Sequence, residues 1–413
     1  MKLSRRRLIA GAVALAASPP ARAAEPPLSL RRGVNLWPWF SLTREYPPPR
    51  TDYGWPPFQQ QRPTPTPHDL ARLRASGLDF VRLPVDPGPF IAMPEAQRTE
   101  LMEQLRAAVA LVLRSELSLV LNIQANGATH HWNPTRFYGS RDAPGLPAYR
   151  QFVADCAAML AGFDLARVAL EPVNEPPQGC GGQGWVAIQQ TLLAAARSRS
   201  ARLTLIATGS CGSMVSGLQA LDPGPLADLA PLLFTFHFYE PYLFSHQGAP
   251  WMSEPVYKAL NAVPWPASAG SLEATLAAVR ARMEQDRVTP AQTKRDAYAE
   301  TQRVLKVYFD ANPARPFIDR YLAMAKAWGE RHAIPSGHIL MGEFGALRSD
   351  ARYVASGAAD RARYVTDVRS SAESFGFPWA FWNAFDGFGL IDDTTRAFDP
   401  AMVSALGLTM PRG

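Results

Sequence analysis

The stretch VALEPVNEPPQGC, Val168 to Cys180, begins as an apolar run and then presents two carboxylates. Glu171 and Glu175 are separated by a proline, a valine and Asn174, and further prolines follow. A short apolar run bounded by proline and glycine is typical of a buried strand, and the prolines prevent the strand from continuing. The stretch therefore predicts a buried strand that exposes polar groups where it ends.

Seven further runs have the same character, and segments with helical spacing separate them. The eight candidate strands are GVNLW from Gly33, LDFVRLPV from Leu78, LSLVLNIQ from Leu117, RVALEPVN from Arg167, RLTLIAT from Arg202, LLFTFHFY from Leu232, HILMGEF from His338 and PWAFWNAF from Pro378. Strands that are apolar nearly throughout and alternate with helices indicate an α/β protein with a parallel sheet covered by helices. Eight such strand–helix units most simply close into a (β/α)8 TIM barrel.

An open, doubly wound sheet is the structural alternative, and it would normally carry a glycine-rich phosphate loop after its first strand. GVNLWPWF, from Gly33, contains no such loop. Two segments interrupt the regular spacing. Residues of about 240–315 are interpreted as a long insertion after strand six, and residues 44–67, rich in Pro and Arg, as an irregular loop after strand one.

Residues 1–23 have the pattern of an export signal: a basic stretch, an apolar run from Leu8 to Ala17, and a small-residue cleavage pattern at Ala21–Ala23. The apolar run is about half the length that a membrane span needs, so stable membrane insertion is not expected. SRRRLI resembles the twin-arginine signal, and the protein is expected in the periplasm or outside the cell. Residues 24–413 are expected to form a single catalytic domain.

The charge of the chain gives no indication of a nucleic-acid partner. The formal net charge is +6, and removing the five cations of residues 1–23 leaves about +1. No cluster of Lys and Arg interleaved with aromatic residues is present. Cys180 and Cys211 both follow candidate strands and could pair, Cys156 is expected to be buried, and a set of three free thiols is equally compatible with the sequence.

Polar and aromatic residues recur where the candidate strands end, which is where the loops of such a barrel converge on one cavity. These residues are Asn35, Trp37, Trp39, Arg82, Asn122, Gln124, Asn126, Asn174, Glu175, His237, Tyr239, Glu343, Trp382 and Asn383. Taken singly, each of these residues more often forms an ordinary ion pair or packs in the core than takes part in a functional site. Together they supply two carboxylates with His, Tyr and Arg to tune them, and indole rings suited to stacking on sugars.

These residues carry a family resemblance. ALEPVNEP, FTFHFY, MGEFGA and WAFWNAF, with RGVNLW and FVRLPV upstream, resemble glycoside hydrolase family 5, the cellulase family, in the right order from Gly33 to Phe385. The resemblance implies a retaining glycosidase that needs neither cofactor nor metal. Its partner would be a polysaccharide or oligosaccharide substrate, and a monomer is expected.

The resemblance also implies residue roles. Glu175 would be the acid/base and Glu343 the nucleophile, with their carboxyls roughly 5 Å apart as retention requires. Asn174 would hydrogen-bond the sugar, Arg82 and Tyr239 would hold the nucleophile, His237 would line the site and Trp382 would form its floor. Glu171 is expected to have a hydrogen-bonding structural role.

The sequence departs from the family pattern where strand three ends, because Gln124 stands where many members have His. Gln124, Asn126 and Trp37 are further candidates for substrate contact, and His130 or His131 could substitute for the missing imidazole. Trp39, Trp132, Trp185 and Trp251 are also candidates for sugar stacking, although core packing is the commoner role of each.

The function expected is an exported endo-β-glucanase. A β-mannanase or an exo-acting β-1,3-glucanase of the same fold is the main alternative. A non-catalytic glycan-binding barrel would have lost a carboxylate, and both are present. An unrelated phosphate-binding barrel enzyme would need a glycine-rich phosphate site after strands seven or eight, where GEFGALRSD and NAFDGFGL fit a sugar cleft better.

Overall fold

The computed structural model describes residues 28–412, so the expected export signal, residues 1–23, lies outside the described part of the chain. The strands are β1 (Arg32–Asn35), β2 (Thr43–Glu45), β3 (Tyr53–Phe58), β4 (Phe80–Val85), β5 (Ser118–Ile123), β6 (Val168–Glu171), β7 (Thr204–Thr208), β8 (Leu232–Phe238), β9 (Ile339–Phe344) and β10 (Trp379–Phe381). The α-helices are α1 (Pro67–Ala75), α2 (Pro87–Ala92), α3 (Glu95–Arg114), α4 (Pro134–Tyr138), α5 (Leu146–Leu160), α6 (Gln183–Arg197), α7 (Val215–Gln219), α8 (Tyr242–Ser245), α9 (Pro255–Ala259), α10 (Leu272–Gln285), α11 (Ala291–Ala311), α12 (Arg315–Arg331), α13 (Ala358–Ser374) and α14 (Pro400–Ala405).

Eight of the strands close a parallel barrel, which confirms the predicted fold class. The order around the barrel is β1, β4, β5, β6, β7, β8, β9 and β10, and β10 pairs with β1 to close it. Each barrel strand overlaps one of the eight predicted runs. Every carboxyl end therefore lies at the same rim, and the loops that follow the strands share one cavity.

The barrel interior is built in layers because side chains alternate between its two faces. The lower layer is apolar and consists of Phe80, Val120, Ala169, Ile206, Leu233, Leu340 and Ala380, with Leu28 and Leu30 packed on it. The side chains of opposite parity face the surrounding helices and form the main core. Gly33 of β1 is required by this packing, because a Cβ there would lie 2.4 Å from the Phe80 ring.

The segment after β1 is more regular than the sequence indicated. Residues 44–67 were expected to be an irregular loop, but they contain most of an antiparallel sheet of β2 and β3. Tyr53 and Phe58 are buried at the two ends of β3, and the Phe58 ring packs edge-on against Phe40. Burial of these rings against the barrel stabilises a hairpin that its prolines obscure in the sequence.

The connection from β8 to β9 contains the helices α8 to α12. α12 lies beside α7 and α13 on the outside of the barrel. Helices α10 and α11 pack against each other and against α9. Among residues 28–412, no helix has the length and apolar character needed to cross a membrane.

Candidate active site

The layer above the apolar layer is polar and fully buried. Arg82 lies two residues beyond Phe80, Asn122 two beyond Val120, and Glu171 two beyond Ala169, and all three polar side chains have no exposed surface. The two-residue period of a strand places them inside the barrel at successive strands. A charged pair at this depth requires compensating hydrogen bonds.

Arg82 meets that requirement with all five of its N–H donors. Nε and Nη2 donate to the two Glu171 carboxylate oxygens at 2.7 and 2.8 Å. Nη1 donates to Asn35 Oδ1 at 2.9 Å and to Glu343 Oε1 at 2.7 Å, and Nη2 also donates to Asn174 Oδ1 at 2.7 Å. The planar guanidinium thus fixes two carboxylates and two amides relative to one another. The hydrogen bonding expected of Glu171 is present.

Glu343 reaches the barrel mouth through an irregularity in β9. Phe236 of β8 pairs with Met341, but the next residue, His237, pairs with Glu343, so Gly342 is an extra residue on β9. Strict alternation from Leu340 would turn Glu343 outward, and the bulge turns it in. A Cβ on Gly342 would lie 2.6 Å from Thr235 Oγ1 and 3.2 Å from His237 Nε2, so glycine is needed there.

Both oxygens of Glu343 accept hydrogen bonds. Oε1 accepts from Arg82, and Oε2 accepts from the Tyr239 hydroxyl at 3.0 Å. His237 Nδ1 lies 3.6 Å from Oε2. The Glu343 side chain is 5% exposed, so its position and the direction of its oxygens are set by these contacts.

Glu175 lies in the loop after β6, with a backbone φ of 41°. Its Oε1 is 2.8 Å from His237 Nδ1, and its side chain is 40% exposed, in contrast to the buried Glu343. One oxygen of Glu175, one of Glu343 and a His237 ring nitrogen all lie within 4.8 Å of one another. This separation is close to the roughly 5–5.5 Å between the carboxyls of retaining glycosidases, and shorter than the roughly 6.5–9.5 Å of inverting ones.

The two carboxyls and His237 titrate as a group. Burial raises the pKa of Glu343 above the ordinary glutamate value, although the positive charges of His237 and Arg82 oppose it. Burial also raises the pKa of Glu175, but the hydrogen bond from His237 and the charges of His237 and Arg82 outweigh it and leave the pKa lowered. Burial lowers the pKa of His237, and the charges of Glu343 and Glu175 more than reverse this. These contacts therefore hold a proton more readily on His237 than on Glu175.

Three further residues predicted for the site lie at the same rim. Arg82 holds Asn174 through its Oδ1, which leaves the amide Nδ2 to donate. Trp382 is half-buried, its backbone N–H donates to Phe344 O at 2.8 Å, and its ring centroid is 6.1 Å from that of half-buried Trp37. Two indole rings thus lie together at the rim where β9 ends with Glu343 and Phe344, and their faces suit the apolar faces of a sugar ring.

Gln124 and Asn126 differ in their surroundings. Gln124 lies two residues beyond Asn122, and within the described residues its buried Oε1 has no hydrogen-bond partner. Asn126 Oδ1 accepts from the Ala128 N–H at 2.8 Å, which shapes its own loop. Gln124 Oε1 is therefore a buried acceptor that the described residues leave without a hydrogen bond, whereas Asn126 has a local partner.

The histidines after strand three hold that loop against the hairpin. His130 Nε2 is 2.8 Å from Arg50 O, and its Nδ1 is 3.1 Å from Glu45 Oε1. The His131 N–H also donates to Glu45. The ring contacts give His130 a structural explanation, whereas the contact of His131 with Glu45 is made by its backbone.

Trp185 and Trp251, both candidates for sugar stacking, differ in burial. Trp185 is buried, and its Nε1 donates to Thr208 O at 2.8 Å, so it belongs to the core. Trp251 is 52% exposed, and its ring lies 6.2 Å from Phe388. Of these two, Trp251 has a face free for a ligand.

The sequence did not assign a role to Asn35 or to His246. Asn35 Nδ2 donates to Gly342 O at 3.0 Å while its Oδ1 accepts from Arg82, so it ties the bulge to the guanidinium. The sequence signal that could have identified Asn35 is a polar amide residue in an otherwise apolar strand. His246 packs against the Tyr239 ring at 5.0 Å, and burial lowers the pKa of His246 to about 4, so that it is neutral near pH 7.

Glu175, His237 and Glu343 could together offer three ligand atoms to a metal ion. Arg82, however, places a permanent positive charge 2.7 Å from Glu343 Oε1. Repulsion between that charge and a bound cation, at a buried site, disfavours metal binding.

Comparison with known proteins gives one family match. Residues 50–301 match the model of the cellulase family, glycosyl hydrolase family 5. The chain is 22% identical over 335 residues to Endoglucanase 3 of Fibrobacter succinogenes, an alignment that covers 79% of this chain and 47% of that protein. The chain thus spans about half the length of the curated relative that it matches.

Solved structures with the same fold include subunit Z of the cellulose synthase of Clostridioides difficile. It is 17% identical, with a TM-score of 0.64, and the match covers 91% of this chain and 99% of that one. A hyperthermophilic endo-β-1,4-glucanase, solved with its substrate, is 21% identical with a TM-score of 0.62, over 93% and 98% of the two chains. At these identities the likeness shows the fold.

Proposed function

The chain belongs to the cellulase family, glycosyl hydrolase family 5, and on that basis we propose that the protein cleaves internal linkages of β-linked glucans with retention of configuration at the anomeric carbon. The observation that carries the proposal is the pair of carboxyls at the barrel mouth, with oxygens of Glu175 and Glu343 within 4.8 Å of each other. The endoglucanase relative supports the choice of a β-glucan substrate.

Glu343 is the nucleophile in this proposal, and Glu175 is the acid/base. Glu343 attacks the anomeric carbon, the glycosidic C–O bond breaks, and the proton of Glu175 passes to the leaving oxygen. Glu175 then removes a proton from water, whose oxygen attacks the same carbon and releases Glu343. The assignment follows the contacts: Arg82 and Tyr239 aim both oxygens of Glu343, while Glu175 stays partly exposed to an incoming sugar.

The first step needs the proton on Glu175, although in the free protein the surrounding charges favour His237. A bound sugar covers the 40% of the Glu175 side chain that is exposed. Loss of water raises the pKa of a carboxyl and lowers that of an imidazolium. We infer that binding moves the proton from His237 Nδ1 to Glu175 Oε1 across their 2.8 Å contact, which leaves His237 neutral and Glu175 protonated for the first step.

The test is hydrolysis of a panel of β-1,4, β-1,3 and mixed-linkage glucans and mannans. Glu175→Gln is expected to lower kcat by about 10²–10⁴-fold, because proton transfer by a positioned acid contributes that much, and Glu343→Gln by at least as much. Glu330→Gln, an exposed carboxyl on α12, is the matched control. Full activity in either active-site variant would refute the assigned roles.

Products from one defined oligosaccharide distinguish the alternatives. Internal cleavage of a β-glucan with a β-anomeric product is expected. Cleavage of mannan alone would identify the β-mannanase, and release of single glucose units from a β-1,3-glucan would identify the exo-acting enzyme. Binding of glucans with no product from any of them would instead indicate a non-catalytic barrel.

We also propose that the protein is exported. Two features support this: the signal pattern in residues 1–23, and a disulfide between Cys180 and Cys211, since disulfides persist in oxidising compartments. Cys156 is free and buried.

A further inference from the structure

The Cys180–Cys211 disulfide joins the loop that carries Glu175 to the loop that follows β7. The first loop contains Gly179, Gly181 and Gly182, and around Gly179 an added Cβ would meet nothing within 4 Å. A glycine-rich stretch with open space around it has few side-chain contacts to restrain it. The disulfide therefore adds a covalent restraint at Cys180, beyond the backbone hydrogen bonds that hold Pro176 and Gln178.

The segment Cys211–Met214 lies between that loop and β8. On one side, Cys211 N donates to Gln178 O at 2.7 Å and Gly212 N donates to Pro176 O at 3.0 Å. On the other side, Ser213 O accepts from His237 N at 2.8 Å, and Met214 forms a parallel bridge with His237. The same short segment is thus hydrogen-bonded both to the residue after Glu175 and to His237.

Its conformation is unusual and closely packed. Cys211, Gly212 and Ser213 have φ values of 63°, 61° and 57°, three left-handed residues in succession. Ser213 is buried, and its hydroxyl is 2.8 Å from that of Thr208. A Cβ on Gly217 would lie 1.8 Å from the carbonyl oxygen of Ser210, so the start of the loop packs directly against α7. The segment is therefore a rigid reference for the two loops on either side of it.

We propose that the segment Cys211–Met214, locked by the Cys180–Cys211 disulfide, is a positioning element that holds the Glu175 carboxyl against His237. The inference rests on the proposed function in one respect, the role of Glu175 as acid/base. Neither cysteine contacts the substrate in this view. They act by fixing the backbone from which Glu175 projects, so that its oxygen stays 2.8 Å from His237 Nδ1.

The experiment compares the mature wild-type protein with the double variant Cys180→Ser/Cys211→Ser. Loss of the restraint is expected to lower kcat about tenfold with a smaller change in KM, since misplacement of a catalytic group affects the chemical step. A looser contact removes the effect of His237 that lowers the pKa of Glu175, so the alkaline limb of the kcat profile, which reports Glu175 in the substrate complex, should move to higher pH. Val109→Ala, which removes buried core volume in α3, controls for a general loss of stability.

A second measurement does not depend on activity. The imidazole of His237 can be titrated by NMR in protein with labelled histidines, its signal being identified with His237→Gln. The ring faces Glu175 and Glu343, which raise its pKa, and Arg82, which lowers it. Loosening Glu175 alone should therefore move the His237 titration to lower pH in the double variant and leave it unchanged in Val109→Ala.

The outcomes separate the two proposals. If the double variant loses stability as Val109→Ala does but keeps its kcat, pH profile and His237 titration, the disulfide merely stabilises the fold and the positioning role is overturned. If the His237 titration shifts while no form of the protein hydrolyses any glycan of the panel, the positioning stands and the proposed function fails.

Discussion

At the scale of the residue, burial distinguishes glutamates that look alike in the sequence. Glu171 and Glu175 belong to the same short stretch, yet Glu171 is fully buried against Arg82 while 40% of the Glu175 side chain is exposed. The sequence could suggest this difference through the family resemblance and the prolines. The five hydrogen bonds that Arg82 donates could not be predicted from the sequence, because their acceptors lie on three strands and one loop.

Arg82→Lys tests that hydrogen bonding while it keeps the charge. Lysine has three donors on one nitrogen and cannot reach two carboxylates and two amides at once. We expect an unfolding free energy lower by about 3 kcal/mol, as for a broken buried ion pair, and a kcat lower by about 100-fold because Glu343 loses its fixed position. Urea unfolding and initial rates measure the two. Arg106→Lys, on the exposed side of α3, should change neither.

His237→Gln tests the electrostatics of the site. His237 lowers the pKa of both Glu175 and Glu343, so removing its positive charge should raise both values. Activity needs Glu343 ionised, which sets the acid limb, and Glu175 protonated, which sets the alkaline limb. Both limbs of the kcat profile should therefore move to higher pH, together with a lower maximum. A profile that moves to lower pH, or a shift of one limb in the opposite direction, would contradict the coupling.

At the scale of the element, a two-residue period explains most of the barrel and fails at one point. The alternation that places Phe80 and Arg82 inside the barrel can be read directly from the sequence. Applied to β9, it would send Glu343 to the outer face. The extra residue at Gly342 corrects the direction, and a bulge of this kind has no local signal beyond the glycine itself. The hairpin of β2 and β3 was also missed, since its stability comes from burial of Tyr53 and Phe58.

Gly342→Ala tests the bulge. The added methyl group meets Thr235 Oγ1 at 2.6 Å and His237 Nε2 at 3.2 Å, so one of these must move. We expect a loss of about 1–3 kcal/mol in unfolding free energy from overpacking, and a kcat at least about tenfold lower because His237 is displaced. Gly337→Ala, just before the same strand, has nothing within 4 Å and should leave both quantities unchanged. Equal effects of the two substitutions would show that the bulge is not specifically required.

At the scale of the whole molecule, the succession of eight strands made the closed barrel predictable, whereas the structure of the connections between strands was not predictable from local patterns. Each strand–helix unit has a local pattern, so the barrel was predictable. The helices between β8 and β9 and the pairing of Cys180 with Cys211 depend on contacts between distant parts of the chain. Cys180 is exposed and Cys211 is half-buried, so the disulfide can close on a protein that has already folded.

That last point makes the export route testable. A twin-arginine signal carries folded proteins, so the disulfide would form after translocation, when the exposed Cys180 meets an oxidising environment. Replacing Arg5 and Arg6 by lysine should leave the protein in the cytoplasm with Cys180 and Cys211 reduced, whereas the unaltered protein should be exported and oxidised. Cell fractionation with thiol labelling measures both properties in one sample. Replacing Arg22, beyond the apolar run, with lysine is the control and should not affect export. Continued export of the Arg5/Arg6 variant would exclude the twin-arginine route. If Cys180 and Cys211 were reduced in the exported protein, the disulfide would no longer be an argument for export.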